Sequence, residues 1–290
     1  MIISWNYIIT FYLFTAGISA GAFMISAAAE ILDQKNERYK EIINIGAYIA
    51  PFPISLGIAC LVLDLERPLY FWKLLITFQY TSVMSIGSWI LVLFCGISYL
   101  NLYLKYKDNA ANKIMTIIGL ILSIGVAVYT GILISILIAR PLWHSPMIPI
   151  IFFISAVIDG IAAICLGMLY IRKTMSHDEY LRNKKILYSI DIPCLILLII
   201  SVIIYIYTVN IDAVKVIISG QYAIYFWVFV VLTGMLMPLI YETWMIRNHT
   251  STKHYVQISI VIGLLILFGG YMLRYVIIYG GQASSVIFYQ

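Results

Sequence analysis

Few side chains in this sequence can hold a polar ligand or exchange a proton, and they gather at the ends of apolar runs. Tyr129 to Pro146 reads YTGILISILIARPLWHSP, a phenol followed by a greasy stretch that closes on Arg140, Trp143 and His144. LDLERPLYFW adds Asp64 and Arg67, Asn6 and Tyr12 open the first apolar run, and Arg274 with Gln282 closes the last in LRYVIIYGGQ. Phenol and amide groups donate and accept hydrogen bonds, carboxyl and imidazole groups exchange protons, and guanidinium groups fix oxygens. Each residue also suits an ordinary helix end, where Trp, Tyr and Arg anchor to the interface and Pro stops the helix. Their convergence is what points to a site.

The elements that must position these groups are membrane-spanning helices. The chain is 63% hydrophobic and 11% charged over 290 residues, with a mean hydropathy of +0.98, far from a soluble domain. Runs of about 20 apolar residues, the length that crosses a bilayer as a helix, extend from Tyr7 to Ile31, Asn44 to Leu63, Val83 to Leu104, Ile114 to Ala139, Met147 to Ile171, Ile186 to Thr208, Ala223 to Ile246 and Tyr255 to Ile278. Barrel strands would be about ten residues long and alternate in polarity. The expected fold is therefore an all-α integral membrane protein of eight transmembrane helices in a single polytopic domain, residues 1–290. The first run lacks a basic leader and a clear cleavage site, so it is expected to stay in place.

Lys and Arg gather in short cytoplasmic loops. The segments after the first, third, fifth and seventh runs hold 13 of the 18 such residues, among them Lys35, Arg38, Lys105, Lys173, Lys184 and Lys253. The expected orientation in a prokaryotic cell membrane thus has both termini extracytoplasmic. Arg67 and Arg140, both before proline, sit on the side where positive charge is scarce. The net charge of +5 needs no nucleic-acid partner.

Ionisable groups at membrane depth are costly and need a partner, a cavity or a function. Asp159 falls near the middle of the fifth run, while Glu30, Asp191 and Glu242 fall towards the cytoplasmic ends of the first, sixth and seventh. A proton route through these four is expected, the alternative being an interhelical hydrogen bond for Asp159 and flanking positions for the rest. Cys60, Cys95, Cys165 and Cys194 lie singly in four runs and suggest neither disulfides nor a metal cluster. His144, His177, His249 and His254 lie in or near loops, so no facing pair can grip a haem. Nucleotide loops, zincin motifs and nucleophile elbows are missing. Redox work would have to use a diffusible lipid cofactor and a partner that holds the metal centres.

A weak repeat at an offset of about 140 residues matches FTAGISAG to FISAVIDG, pairing Gly17 with Ala156 and Gly21 with Gly160; Pro51 and Pro53 are matched by Pro193. Halves at 1–140 and 141–290 would give two four-helix bundles side by side. Gly17 and Gly21 also make a small-residue face for close helix packing.

YLFTAGISAGAF, LDLERPLYFW, SVMSIGSWIL, YTGILISILIARPLWHSP and GGYMLRYVIIYGGQ occur in this order across nearly the whole chain. In these stretches the protein resembles the NrfD/PsrC-like membrane subunits of polysulfide-reductase-type respiratory complexes. The resemblance implies a menaquinone-like cofactor near the outer face, an iron-sulfur partner subunit and, through it, a molybdopterin-type or other catalytic subunit. It places a site tyrosine on the fourth helix at Tyr129. Some members carry a histidine on the first helix where this chain has Tyr12. A quinone head needs hydrogen-bond donors at two carbonyl oxygens and a proton exchanger. Tyr12 and Tyr129 are expected at the ring oxygens, with Asn6, Arg140 and Trp143 in further contact. Asp64 and His144 are expected as exchangers, and Arg67, Arg274 and Gln282 as docking or supporting groups, with no metal bound by this chain. A secondary transporter and a passive anchor without a quinone site are the competing expectations.

Overall fold

The computed structural model describes residues 5–33, 39–65, 68, 72–76, 79–108, 113–137, 140–172, 175–248 and 254–284. Arg67 lies outside the described residues, as do Lys35, Arg38, Lys173, His249 and Lys253. Among the described residues, twelve helical segments follow in order: α1 Tyr7–Leu32, α2 Lys40–Ile49, α3 Pro51–Asp64, α4 Trp72–Ile76, α5 Val83–Asp108, α6 Lys113–Ser135, α7 Met147–Ile171, α8 His177–Thr208, α9 Ile211–Ile218, a π-helix π1 Tyr225–Leu236, α10 Met237–Arg247 and α11 His254–Ala283. Eight helices are long and apolar enough to cross a membrane, with α2–α3 and π1–α10 each making one span.

The bundle is built around α1, whose most apolar window is 72% buried, against 33% for α8. Its sequence explains this position, because AGISAGAF offers small residues that let neighbouring backbones approach. At its crossing with α7, a Cβ added to Gly21 would meet the Ala156 carbonyl, and one added to Gly160 would lie 2.6 Å from the Gly21 Cα. Any side chain at either glycine pushes the two helices apart. Gly21 and Gly160, which touch here, are also a pair that the internal repeat aligns.

Polar side chains of α1 stitch the broken second span to it. The Ser19 hydroxyl donates to the Ala50 carbonyl at the α2–α3 junction, where Pro51 lacks a backbone donor, and Ser26 Oγ donates to the Ile43 carbonyl at 2.7 Å.

Some boundaries differ from those expected. Helix α8 starts at His177 instead of Ile186 because Ser176 caps it, accepting from the Glu179 N–H at 3.2 Å. Its polar first turns, including Lys184, therefore belong to the helix, and the S-x-x-E pattern was the signal for it. Helix α6 stops at Ser135, short of Ala139. The π-helical winding of π1 ends at Leu236, and α10 opens with Met237 and then Pro238, which cannot donate to the preceding turn.

Candidate functional site

The phenol of Tyr12 lies wholly inside the bundle, 0% exposed, and its hydroxyl has no hydrogen-bond partner among the described residues. Tyr12 faces α3, its ring packing near Gly57. Tyr129 on α6 is 5% exposed and close enough to Tyr12 for the two phenols to interact electrostatically. Its ring occupies the space where Gly87 of α5 would carry a Cβ, so Gly87 is the slot that seats it. Helices α1, α3, α5 and α6 thus pack around two phenols. A buried hydroxyl without a partner costs about 1–3 kcal/mol and calls for an explanation. A ligand oxygen that accepts from it supplies one.

Above the phenols, at the end where α1 begins, a polar cap closes the bundle. Arg140 Nη1 donates to the carbonyls of Gln282 and Ser284 at 2.7 and 2.9 Å, satisfying carbonyls at the end of α11 that no helical N–H can reach. Trp143 is 2% exposed, donates to the Ile277 carbonyl at 2.9 Å and stacks on Trp5 with ring centroids 5.4 Å apart. Gln282 Nε2 returns a bond to the Trp5 carbonyl at 2.9 Å. These contacts of Arg140, Trp143 and Gln282 tie the α6–α7 turn to α11 and the start of α1. His144 is exposed at the same turn, Asn6 is exposed at the start of α1, and Asp64 is half-buried at the end of α3.

Arg274, near the end of its run, turns into the bundle. It is 1% exposed, and its Nη1 lies 3.0 Å from Asp159 Oδ2, whose side chain is equally buried. The guanidinium also donates to the carbonyls of Gly270 at 2.8 Å and Leu13 at 3.2 Å, with the rings of Phe14 and Phe152 at 5.7 and 5.4 Å. It packs over Gly17, whose lack of a side chain makes room. The group joins α1, α7 and α11 next to Tyr12.

The four expected proton-route carboxyls separate into three places. Glu30 pairs with Lys105 at 2.8 Å and accepts from Thr116 Oγ1 at 3.1 Å, joining α1, α5 and α6. Asp159 belongs to the Arg274 pair. Asp191 and Glu242 are both 0% exposed and stand together between α8 and α10. Gly87 and Trp5 escaped sequence reasoning; only the motif SVMSIGSWIL pointed towards the former. No three His, Cys, Asp or Glu side chains gather as a metal ligand set among the described residues.

The polysulphide reductase NrfD family model matches residues 1–286. The C subunit of polysulfide reductase from Wolinella succinogenes is 29% identical, with 96% of this protein and 94% of the relative covered. The NrfD homolog of Haemophilus influenzae is 28% identical over 97% of this protein and 95% of the relative. An Hdr-like menaquinol oxidoreductase integral membrane subunit of Archaeoglobus fulgidus is 24% identical, covering 53% of this protein and 39% of the relative. With eight spans and a match over nearly its whole length, this multi-pass membrane protein belongs to the polysulphide reductase NrfD family.

Proposed function

We propose that this protein is the quinone-reactive membrane subunit of a respiratory oxidoreductase. It exchanges electrons between the membrane quinone pool and an iron-sulfur partner on the extracytoplasmic side, which serves a molybdopterin-type or other catalytic subunit. Family membership supports this reading, as do the polysulfide reductase and menaquinol oxidoreductase named among its relatives. The observation that carries it is the fully buried, unpartnered Tyr12 hydroxyl beside Tyr129. A menaquinone-like ring, when bound, supplies two carbonyl oxygens that take up or give off protons as electrons move.

The residues present fit that group. Tyr12 and Tyr129 donate to the ring oxygens from fixed helices, so little ordering is left to be done on binding. Asp64 and His144, half-buried and exposed at the outer end, exchange protons with water there, and Asn6 adds a polar contact at the mouth. Arg140, Trp143 and Gln282 keep α6, α11 and α1 in register above the phenols, while Arg67 serves the docking face. Arg274 and Asp159 fix α1 from behind, through Leu13, and thereby fix Tyr12.

The test is quinol-dependent turnover of the assembled complex in the presence of a short-tailed naphthoquinone analogue. Competitive inhibition, with substoichiometric quinone extracted from the washed complex, is expected. Turnover insensitive to the analogue, from a complex that retains no quinone, would establish a passive anchor instead.

A further inference from the structure

The pair Asp191 and Glu242 takes no part in the quinone reading and is the most heavily buried acidic cluster among the described residues. Both residues are 0% exposed. Their carboxyl groups lie within hydrogen-bond reach of one another, yet none of the four oxygens receives a hydrogen from a protein donor. Two carboxylates can only accept, so the contact holds only when one of them carries a hydrogen. Close like charges in an apolar interior resist ionising together unless a cation compensates them, and the pair then titrates as a unit.

The surroundings point the same way. Tyr180, Lys184, Tyr188 and Asp191 follow one face of α8 at helical spacing, all buried. The Tyr180 ring has Arg172 at 5.5 Å and the Lys184 ammonium at 5.0 Å; Tyr188 lies 5.8 Å from the same ammonium. Lys184 is 1% exposed and within electrostatic reach of Glu242. From the other helices, Cys165 and Asp159 of α7 and Tyr241 of α10 face the cluster, and Cys194 stands beside Asp191 on α8 itself. Farther along, a cavity of about 10 Å³, enough for about one water, is lined by Ser155, Asp159, Leu198 and Gly270.

We propose that Asp191 and Glu242 are a proton-storage site holding one hydrogen between them, loaded from Lys184 on the cytoplasmic side and discharging towards Asp159. The Lys184 ammonium gives its proton to the pair and is recharged past Tyr180 and Arg172. When the pair passes its proton on, the recharged ammonium offsets the second negative charge. The proton then passes to the Asp159 carboxylate, which stands within electrostatic reach of Asp191 and lines the cavity, and its arrival loosens the ion pair with Arg274.

Infrared spectroscopy of the purified full-length protein in lipid nanodiscs tests this without quinone or partner, so the outcome is separate from that of the quinone reading. At neutral pH a protonated-carboxyl band is expected, which Asp191→Asn and Glu242→Gln each remove completely, because the new amide donates the hydrogen bond that the shared proton had supplied. Should one variant fail to fold, the other gives the same readout. Lys184→Met is expected to keep the band but slow its hydrogen–deuterium shift severalfold. A band that halves in each single variant, or that neither changes, overturns the shared proton; unchanged exchange in Lys184→Met overturns the loading step.

Discussion

Replacing Tyr129 by Phe is expected to lower quinol-dependent turnover by about 10²–10⁴-fold, the usual contribution of a positioned proton donor or acceptor, while the complex still assembles. The ring of the variant still fills the slot on Gly87, so packing is kept and only the hydroxyl is lost. Gly87→Ala is the matched control, since it keeps the hydroxyl but places a Cβ where the ring must lie. Turnover should fall there too, through displacement of the phenol. Turnover assays on membranes with equal amounts of assembled complex check both variants. Unchanged turnover in Tyr129→Phe would remove this residue from the site.

Asp159→Asn is expected to be the more damaging half of the buried ion pair. Breaking such a pair from one side costs about 3–5 kcal/mol, because the remaining charge is left without compensation. The two sides are not equal, however. With Arg274 replaced by Gln, the Asp159 carboxyl can neutralise itself by taking up a proton; with Asp159 replaced by Asn, the guanidinium cannot lose one. Melting of the purified variants should therefore rank wild type above Arg274→Gln, and Arg274→Gln above Asp159→Asn, with the double variant less damaged than the sum of the two. Equal losses, or a strictly additive double variant, would contradict the account of this pair. Because Arg274 also holds the Leu13 carbonyl, both variants should weaken quinone-analogue binding through Tyr12.

Hydropathy gives the depth of a residue in the membrane but not the direction in which it points. The eight spans and the shared depth of Asp191 and Glu242 were legible, since both lie near the same ends of their runs. That they face one another across α8 and α10 was not. Arg274 illustrates the same limit: four residues from the end of an expected span, it read as an outer-face group, while its orientation carries it inward to Asp159. The arginine in YTGILISILIARPLWHSP, on the side where positive charge is scarce, is accounted for by two helix-end carbonyls of α11 that it caps. Gly87 was hidden because a glycine within a span looks alike whether it faces lipid or seats a ring. The π-helix left no mark in composition, being as apolar as its neighbours.

Tyr12 and Tyr129 are proposed to hold a quinone head between α1, α3, α5 and α6. Photolabelling of the assembled complex with an azidoquinone, followed by mapping of the modified peptides, tests it most directly. Label is expected on the α1 and α6 segments that carry Tyr12 and Tyr129, and an excess of unlabelled quinone should compete it away. Competed label confined to other helices, such as the aromatic face of π1 and α11, would contradict the account.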